Sequence, residues 1–274
     1  MDFEEKDFEE KDFEEKNQEK QKTIAQIKLE FMQTPIPKVP ALIDKYTMDN
    51  RSGVKTICKQ YYNKYLALQE EEKRLAQMKA YENKYADYQY ICGVDEVGRG
   101  PLAGPVVACA VILPKDCNIL YINDSKQLSQ KKREELYDEI ISHAIAFGVG
   151  SIPPAKIDEM NILQATYEAM RQAIRNLSIK PDIILNDAVT IPEIDIKQVP
   201  IVKGDSKSIS IAAASIVAKV TRDRFMIAYD KIFPGYGFAD NKGYGSAQHI
   251  EALKTLGLTP IHRKSFVKKL MEEG

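Results

Sequence analysis

The chain has 274 residues, 44% of them hydrophobic and 29% charged, which suits a soluble globular protein with one large domain and a small one. The net charge of −1 hides an asymmetry: residues 1–16 carry nine acids and three lysines, leaving 36 Lys+Arg against 31 Asp+Glu, or +5, in the rest. That mildly basic remainder is compatible with a nucleic-acid partner. No apolar stretch approaches the roughly 20 residues a membrane span needs, and no signal-like apolar segment opens the chain, so a cytoplasmic protein is expected.

Residues 2–16 repeat DFEEK three times. The unit is too short for a solenoid, and Phe3, Phe8 and Phe13 recur at a spacing that drifts around a helix. A solvated acidic tail is expected over 1–16, with a docking peptide as the alternative. Residues 17–87 read as a helical accessory module, broken at Thr34–Pro40 and then rich in Lys, Glu, Gln, Ala and Leu. Its tyrosines Tyr61, Tyr62, Tyr65, Tyr81 and Tyr85, with Tyr88 just beyond, fit the amphipathic edge of a small bundle. Contact with a nucleic-acid backbone is the competing reading.

Residues 88–274 change to alternating strands and helices. Strands are expected at Ile91–Val97, Val106–Leu113, Ala146–Ile152, Asp182–Asn186 and Gln198–Val202. Helices are expected at Ser129–Ala144 with Ser129 as N-cap, at Pro154–Leu177 as one or two pieces, at Ser206–Phe233 and at Ala247–Leu256. The order is β-β-α-β-α-β-β-α-α, a mixed α/β core with a small N-terminal all-α module. The cysteines Cys58, Cys92, Cys109 and Cys117 form no C-x-x-C pair and read as reduced thiols, so structural zinc is not expected.

Four acids stand near strand ends: Asp95 and Glu96 in the first, Asp187 after the fourth and Asp205 after the fifth. Neighbouring side chains on a strand point to opposite faces, so Asp95 and Glu96 share a site only if the chain bends there. Open α/β sheets bind ligands beyond the carboxyl ends of their strands. An all-oxygen set favours Mg²⁺ or Mn²⁺ over zinc. Two such ions about 4 Å apart suit an in-line phosphoryl displacement. Against this stand simpler roles: Asp205 as cap of the helix from Ser206, and Asp223, a rival ligand, in a surface ion pair. The glycine loop Gly98-Arg99-Gly100-Pro101 leads into a strand, not a helix, which argues against a dinucleotide or Walker-type loop. It offers bare backbone to a phosphodiester instead.

The blocks GVDEVGRGPLAGPVVACAVILP, NDSKQLSQKKREEL, KGDSKSISIAAASIVAKVTRDR, GYGFADNKGYGSAQH and HRKSF, in that order over about Tyr90–Phe266, resemble bacterial ribonuclease HII. Arg99 with Pro101 sets the chain with that family and not with ribonuclease HIII, and the helical stretch before Tyr90 is similar to an extension found in some Gram-positive members. The resemblance implies a ribonuclease H-like fold with a mixed central sheet flanked by helices. It implies endonucleolytic cleavage of RNA in RNA–DNA hybrids and incision 5′ of ribonucleotides embedded in duplex DNA, leaving 3′-hydroxyl and 5′-phosphate ends. Asp95, Glu96, Asp187 and Asp205 map onto the metal-binding acids, holding two Mn²⁺ or Mg²⁺ ions. Gly98, Arg99 and Gly100 map onto the loop that contacts the ribose 2′-hydroxyl, and Tyr244 onto the tyrosine against the neighbouring deoxyribose. Ser125 and Lys126 are expected to meet a phosphate, and His249 and His262 to be structural. Asn186 stands where an apolar residue is common and Ser246 where threonine is usual. A monomer is expected. Other readings of the acids are a resolvase or repair nuclease with a different substrate, and a nucleic-acid-binding protein without catalysis.

Overall fold

The computed structural model describes residues 21–273, so the DFEEK repeats lie outside the described residues. The chain divides into two compact units at Lys73/Arg74. In the first, α1 (Ile24–Gln33) starts with a capping box, in which Thr23 Oγ1 accepts the Gln26 N–H and Gln26 Oε1 accepts the Thr23 N–H. Pro35 and Pro37 interrupt the helix with a single 3₁₀ turn, Ile36–Lys38, before α2 (Val39–Lys45). The long α3 (Ser52–Met78) follows. Ile27 and Phe31 on α1 meet Val54, Ile57 and Tyr61 on α3, so one apolar stripe from each helix makes a small core. Tyr61 belongs to that core, whereas Tyr62 is exposed. Glu30 accepts from Lys22, Lys45 and Tyr46, which pull its carboxyl down to about 2.

The division falls inside α3, earlier than the change in composition at 87/88. Leu75 and Met78 read as ordinary helical apolar positions, yet they pack with Ile119, Ile122 and Leu136 in the core of the second unit. Helix α4 (Ala80–Lys84) and its surroundings do likewise: Tyr81, Tyr85 and Tyr88 pack around Ile91, Ile183, Leu185, Ile201 and Ile211. Those three tyrosines are core edge.

The second unit is built on a five-stranded sheet of order β3-β2-β1-β4-β5. Its strands are β1 (Ile91–Val97), β2 (Val106–Ile112), β3 (Ala146–Ile152), β4 (Ile183–Asp187) and β5 (Lys197–Ile201). The pairs β1–β2 and β2–β3 are antiparallel, while β1–β4 and β4–β5 are parallel. Helices α5 (Gln130–His143), α6 (Pro154–Met160), α7 (Ile162–Arg175), α8 (Ile209–Ile232), α9 (Phe238–Asn241), α10 (Ala247–Leu256) and α11 (Lys264–Glu273) complete it. The expected elements appear in the expected order, with the Pro154–Leu177 stretch split in two; the short α9 and the C-terminal α11 are additions that the sequence pattern did not predict. Asn161, at φ 71°, ends α6 and caps α7, accepting from the Leu163 and Gln164 amides.

Small residues decide how closely the layers meet. A Cβ on Gly93 of β1 would lie 2.1 Å from the Ser210 carbonyl carbon of α8, and one on Gly150 of β3 would lie 1.9 Å from the Ala169 carbonyl oxygen of α7. Helix α7 supplies a matching flat stripe, Ala165, Ala169 and Ala173, and α8 a buried run of small residues, Ala212–Ala214. Backbone cannot yield as a flexible side chain can. Gly93→Ala is therefore expected to cost several kcal/mol, on the order of the worst overpacking substitutions. Loss of soluble, cooperatively melting protein is the check; a wild-type melting curve would contradict this packing.

Helix α8 is buried along most of its length against β1 and β2. Its N-cap is Ser208, not Asp205. Glu82 Oε1 accepts from Ser208 Oγ (2.5 Å) and Ser210 N–H (3.0 Å), placing a carboxylate at the positive end of the helix. Asp223 is not on the surface as expected: it is buried and paired with Lys219 at 2.7 Å, because its face of α8 turns inward. No helix among the described residues is long and apolar enough to cross a membrane. Cys92, Cys109 and Cys117 are buried free thiols, and Cys58 is free and half-buried.

Candidate active site

Adjacency of β1, β4 and β5 brings the four acids to one edge of the sheet. Asp95 and Glu96 lie within β1, opposite Cys109 and Ala108, two and one residues short of its last position, Val97. Asp187 is the last residue of β4, and Asp205 sits in the 3₁₀ turn Gly204–Ser206 after β5. The chain turns sharply at both places, with Ala188 and Lys203 each at φ 56°. Left-handed backbone in residues with a Cβ is tolerated only where the surroundings impose it. One constraint is visible: the Gly204 N–H donates to Asp187 Oδ1 at 2.7 Å, tying the two acidic strand ends together.

Asp187 is the common neighbour. Its charge acts on Asp95, on Glu96 and on Asp205. Burial first, then Glu96 and Asp187, push the Asp95 carboxyl well above the usual range, although Ser215 donates a hydrogen bond to it. Burial raises Glu96 too, against the opposing pull of Arg99, whose guanidinium lies 3.3 Å from Glu96 Oε1. Asp205 rises to about 6 through burial and the charges of Asp124 and Asp187. Lys126 goes up: burial would lower it, but Asp124, Asp205, Asp95 and Asp187 outweigh that. Among the described residues, no three acids, histidines or cysteines are already drawn together closely enough to hold a cation. The donor set still fits a hard divalent ion. It is all carboxylate, largely buried, and mutually repulsive, a state that added positive charge relieves.

Ser125 and Lys126 part company. Ser125 is buried, its hydroxyl 2.9 Å from that of Ser215, so it stands behind Asp95 and not at the surface. Lys126 is exposed and within the field of the acids. Asp124, not singled out from the sequence as an acid of the site, accepts the Lys126 N–H (2.9 Å) and acts on Asp205. Its only sequence signal is a D-S-K block that also reads as an ordinary turn cap.

The glycine loop is braced from behind by two arginines with no exposed surface. Arg263 donates to the carbonyls of Gly98 (2.5 Å), Arg99 (2.8 Å) and Gly104 (2.9 and 3.0 Å). Arg222 donates to those of Pro105, Ala103 and Lys242. A trans peptide is planar, its N–H opposed to its C=O. With the Gly98 and Arg99 carbonyls turned inward, the amides of Arg99 and Gly100 must face outward, and neither meets an acceptor among the described residues. Gly98 is obligatory: its φ is 88°, and a Cβ there would lie 2.2 Å from Arg222 Nε. Tyr244, 46% exposed, puts its ring edge 4.0 Å from where a Gly100 Cβ would be, with the Arg222 guanidinium 6.0 Å from the ring centroid. The structure thus brings Gly98, Arg99, Gly100 and Tyr244 together.

Both arginines escaped the sequence reading. Arg222 had a signal, since it lies four residues after Ala218 and four before Met226 on the buried face of α8. The two expected departures are also placed. Ser246 caps α10, accepting the His249 N–H. Asn186 is fully buried, donates to Gln198 Oε1 at 2.7 Å and leaves its own Oδ1 unpaired.

A mixed sheet flanked by helices, with carboxylates at the ends of its adjoining strands, defines a ribonuclease H-like protein. The chain belongs to the ribonuclease HII family: the model of ribonuclease HII matches residues 92–269, and that of the ribonuclease HII N-terminal domain matches residues 23–86. It is 68% identical to the ribonuclease HII of Lachnoclostridium phytofermentans over 83% of this chain and 89% of that one. It is 49% identical to that of Clostridioides difficile over 92% of this chain and 100% of that one. Among solved structures, the ribonuclease H2 of Pyrococcus horikoshii OT3 matches with a TM-score of 0.57 and 31% identity, over 68% of this chain and 98% of that one. The resemblance noted from the motifs is confirmed.

Proposed function

We propose that this protein hydrolyses the RNA strand of RNA–DNA hybrids and incises duplex DNA on the 5′ side of embedded ribonucleotides. Asp95, Glu96, Asp187 and Asp205 would hold two Mn²⁺ or Mg²⁺ ions. When bound, such ions supply a nucleophilic water at neutral pH and stabilise charge on the leaving oxygen. The observation that carries the reading is the shared field of Asp187. It acts on three other carboxyls beside a loop whose outward amides have no acceptor of their own.

The chain's own groups divide the remaining work. The Arg99 and Gly100 amides donate to oxygens of the ribonucleotide, including the 2′-hydroxyl that separates RNA from DNA. Tyr244, beside Gly100, packs on the next sugar and disfavours a second hydroxyl there by leaving it poorly solvated. Lys126 answers phosphate charge at the rim. The test is a labelled RNA–DNA hybrid incubated with Mn²⁺ or Mg²⁺. Cleavage products carrying 3′-hydroxyl and 5′-phosphate ends are expected. Ends bearing 2′,3′-cyclic phosphate would show that the ribose hydroxyl itself attacks, and would overturn the mechanism.

A further inference from the structure

Two of the three histidines sit together behind Tyr244, where the sequence suggests no more than a structural part for them. His249 and His262 are buried, their Nε2 atoms 2.9 Å apart, among the rings of Tyr236 and Phe238. Their protons can be assigned from their partners. The Thr259 N–H, which can only donate, lies 2.8 Å from His262 Nδ1, so that nitrogen is an acceptor. A neutral His262 then carries its proton on Nε2 and donates to His249 Nε2. His249 must in turn carry its proton on Nδ1, which lies 2.8 Å from the Tyr244 carbonyl oxygen. Every donor in the row meets an acceptor. A second proton on either ring would set two N–H groups face to face, and burial holds both imidazoles below their ordinary range, His262 at about 4.

We infer that His249 and His262 are positioning residues for substrate choice, holding Tyr244 at a fixed place beside Gly100 through this ordered row of hydrogen bonds. The Tyr244 carbonyl also receives the Ser246 N–H (2.8 Å), and its N–H donates to Asn241 O (2.9 Å), so its peptide is gripped on both sides. Removing the histidine bond leaves the carbonyl with the Ser246 N–H alone, loosens its direction and lets the ring drift from the loop. The inference rests on the proposed contact of Tyr244 with the sugar next to the ribonucleotide.

Two amide substitutions separate position from mere packing. In His249→Asn the side-chain amide falls near the place of Nδ1 and keeps a donor for Tyr244; in His249→Gln it falls near Nε2 and keeps only the His262 partner. The readout is the ratio of cleavage at a ribonucleotide followed by deoxyribose to cleavage at one followed by ribose. His249→Gln is expected to lower that ratio about tenfold, the worth of one buried hydrogen bond, with His249→Asn near wild type. Equal ratios in the two variants, or a fall that only tracks loss of melting temperature, would overturn the inference. Tyr244→Ala provides the distinction from the underlying reading. If it lowers the ratio while His249→Gln does not, only the histidine role fails; if it has no effect, the Tyr244 contact fails and the inference with it. Nitrogen-15 spectra of labelled histidines at neutral pH, which need no activity, are expected to show His249 protonated on Nδ1 and His262 on Nε2. The opposite tautomers would also overturn it.

Discussion

Asp95→Asn is expected to abolish cleavage and to stabilise the metal-free protein. The loss of activity should be at least about 10³-fold, since the substitution removes one of the carboxylates proposed to hold the ions that stabilise charge in the transition state. The gain in stability comes from the same burial. Asp95 is 6% exposed and has two acidic neighbours, so its charged form is disfavoured in the fold and not in the open chain. Asparagine keeps the volume and an acceptor for the Ser215 hydroxyl and drops the charge. A gain of ~1 kcal/mol would raise the melting temperature by about 2–4 °C in a domain of this size.

The pH dependence of stability has a definite sign. A carboxyl whose pKa is raised on folding makes the native state bind more protons than the unfolded one, so its stabilising contribution is full below about 4 and fades as pH rises through the folded value. For Asp205 that fading spans the range from its ordinary 3.8 to about 6; for Asp95 it extends over a range set by a pKa well above 3.8. In EDTA, the melting-temperature gap between Asp95→Asn and wild type should therefore widen from pH 4 upward. A gap that narrows with rising pH, or a variant that melts lower throughout, would contradict the repulsive cluster.

Arg263→Met is expected to be the most damaging substitution in the brace of the glycine loop. It strips the Gly98, Arg99 and Gly104 carbonyls of their donors in a place water does not reach. Each orphaned carbonyl costs ~1–3 kcal/mol. Against that, the guanidinium is itself costly to bury: burial and the nearby Arg222 bring it down to about 9. A net loss of about 3 kcal/mol, or roughly 6–12 °C in melting temperature, is the expected balance. Activity should fall further than stability explains, because the Arg99 and Gly100 amides lose their fixed outward direction. Arg263→Lys should fare little better, since one ammonium cannot span three carbonyls. A destabilised Arg263→Met that still cleaves at the wild-type rate when folded would show that the loop holds its shape without the brace.

The strands and helices were legible because the catalytic unit keeps its periodicities clean. Strand β2 is apolar on both faces, and α7 carries its stripe of alanines at four-residue spacing. The acids were legible for the same reason, each closing an apolar run. Long-range partners were not. Nothing in the order of residues says that Asp187 fixes Gly204, or that Ser125 turns inward to Ser215. Arg222 and Arg263 drew no attention in the sequence because burial without a carboxylate is rare for arginine; the carbonyls that accept from them come together only when loops around 100, 104 and 242 meet. Asp223 misled for a related reason, since α8 is buried where a lone surface helix would be wet. Leu75 and Met78 show the limit on domain edges: composition places them in the helical module, and packing places them in the catalytic core.

The most direct test is a labelled DNA duplex containing one ribonucleotide, incubated with the full chain in Mn²⁺ or Mg²⁺, beside the same duplex in EDTA and an all-DNA duplex in metal. A single metal-dependent cut on the 5′ side of the ribonucleotide, with the all-DNA duplex intact, is the expected result. Cleavage that persists in EDTA, or that ignores whether the sugar carries a 2′-hydroxyl, would contradict the account.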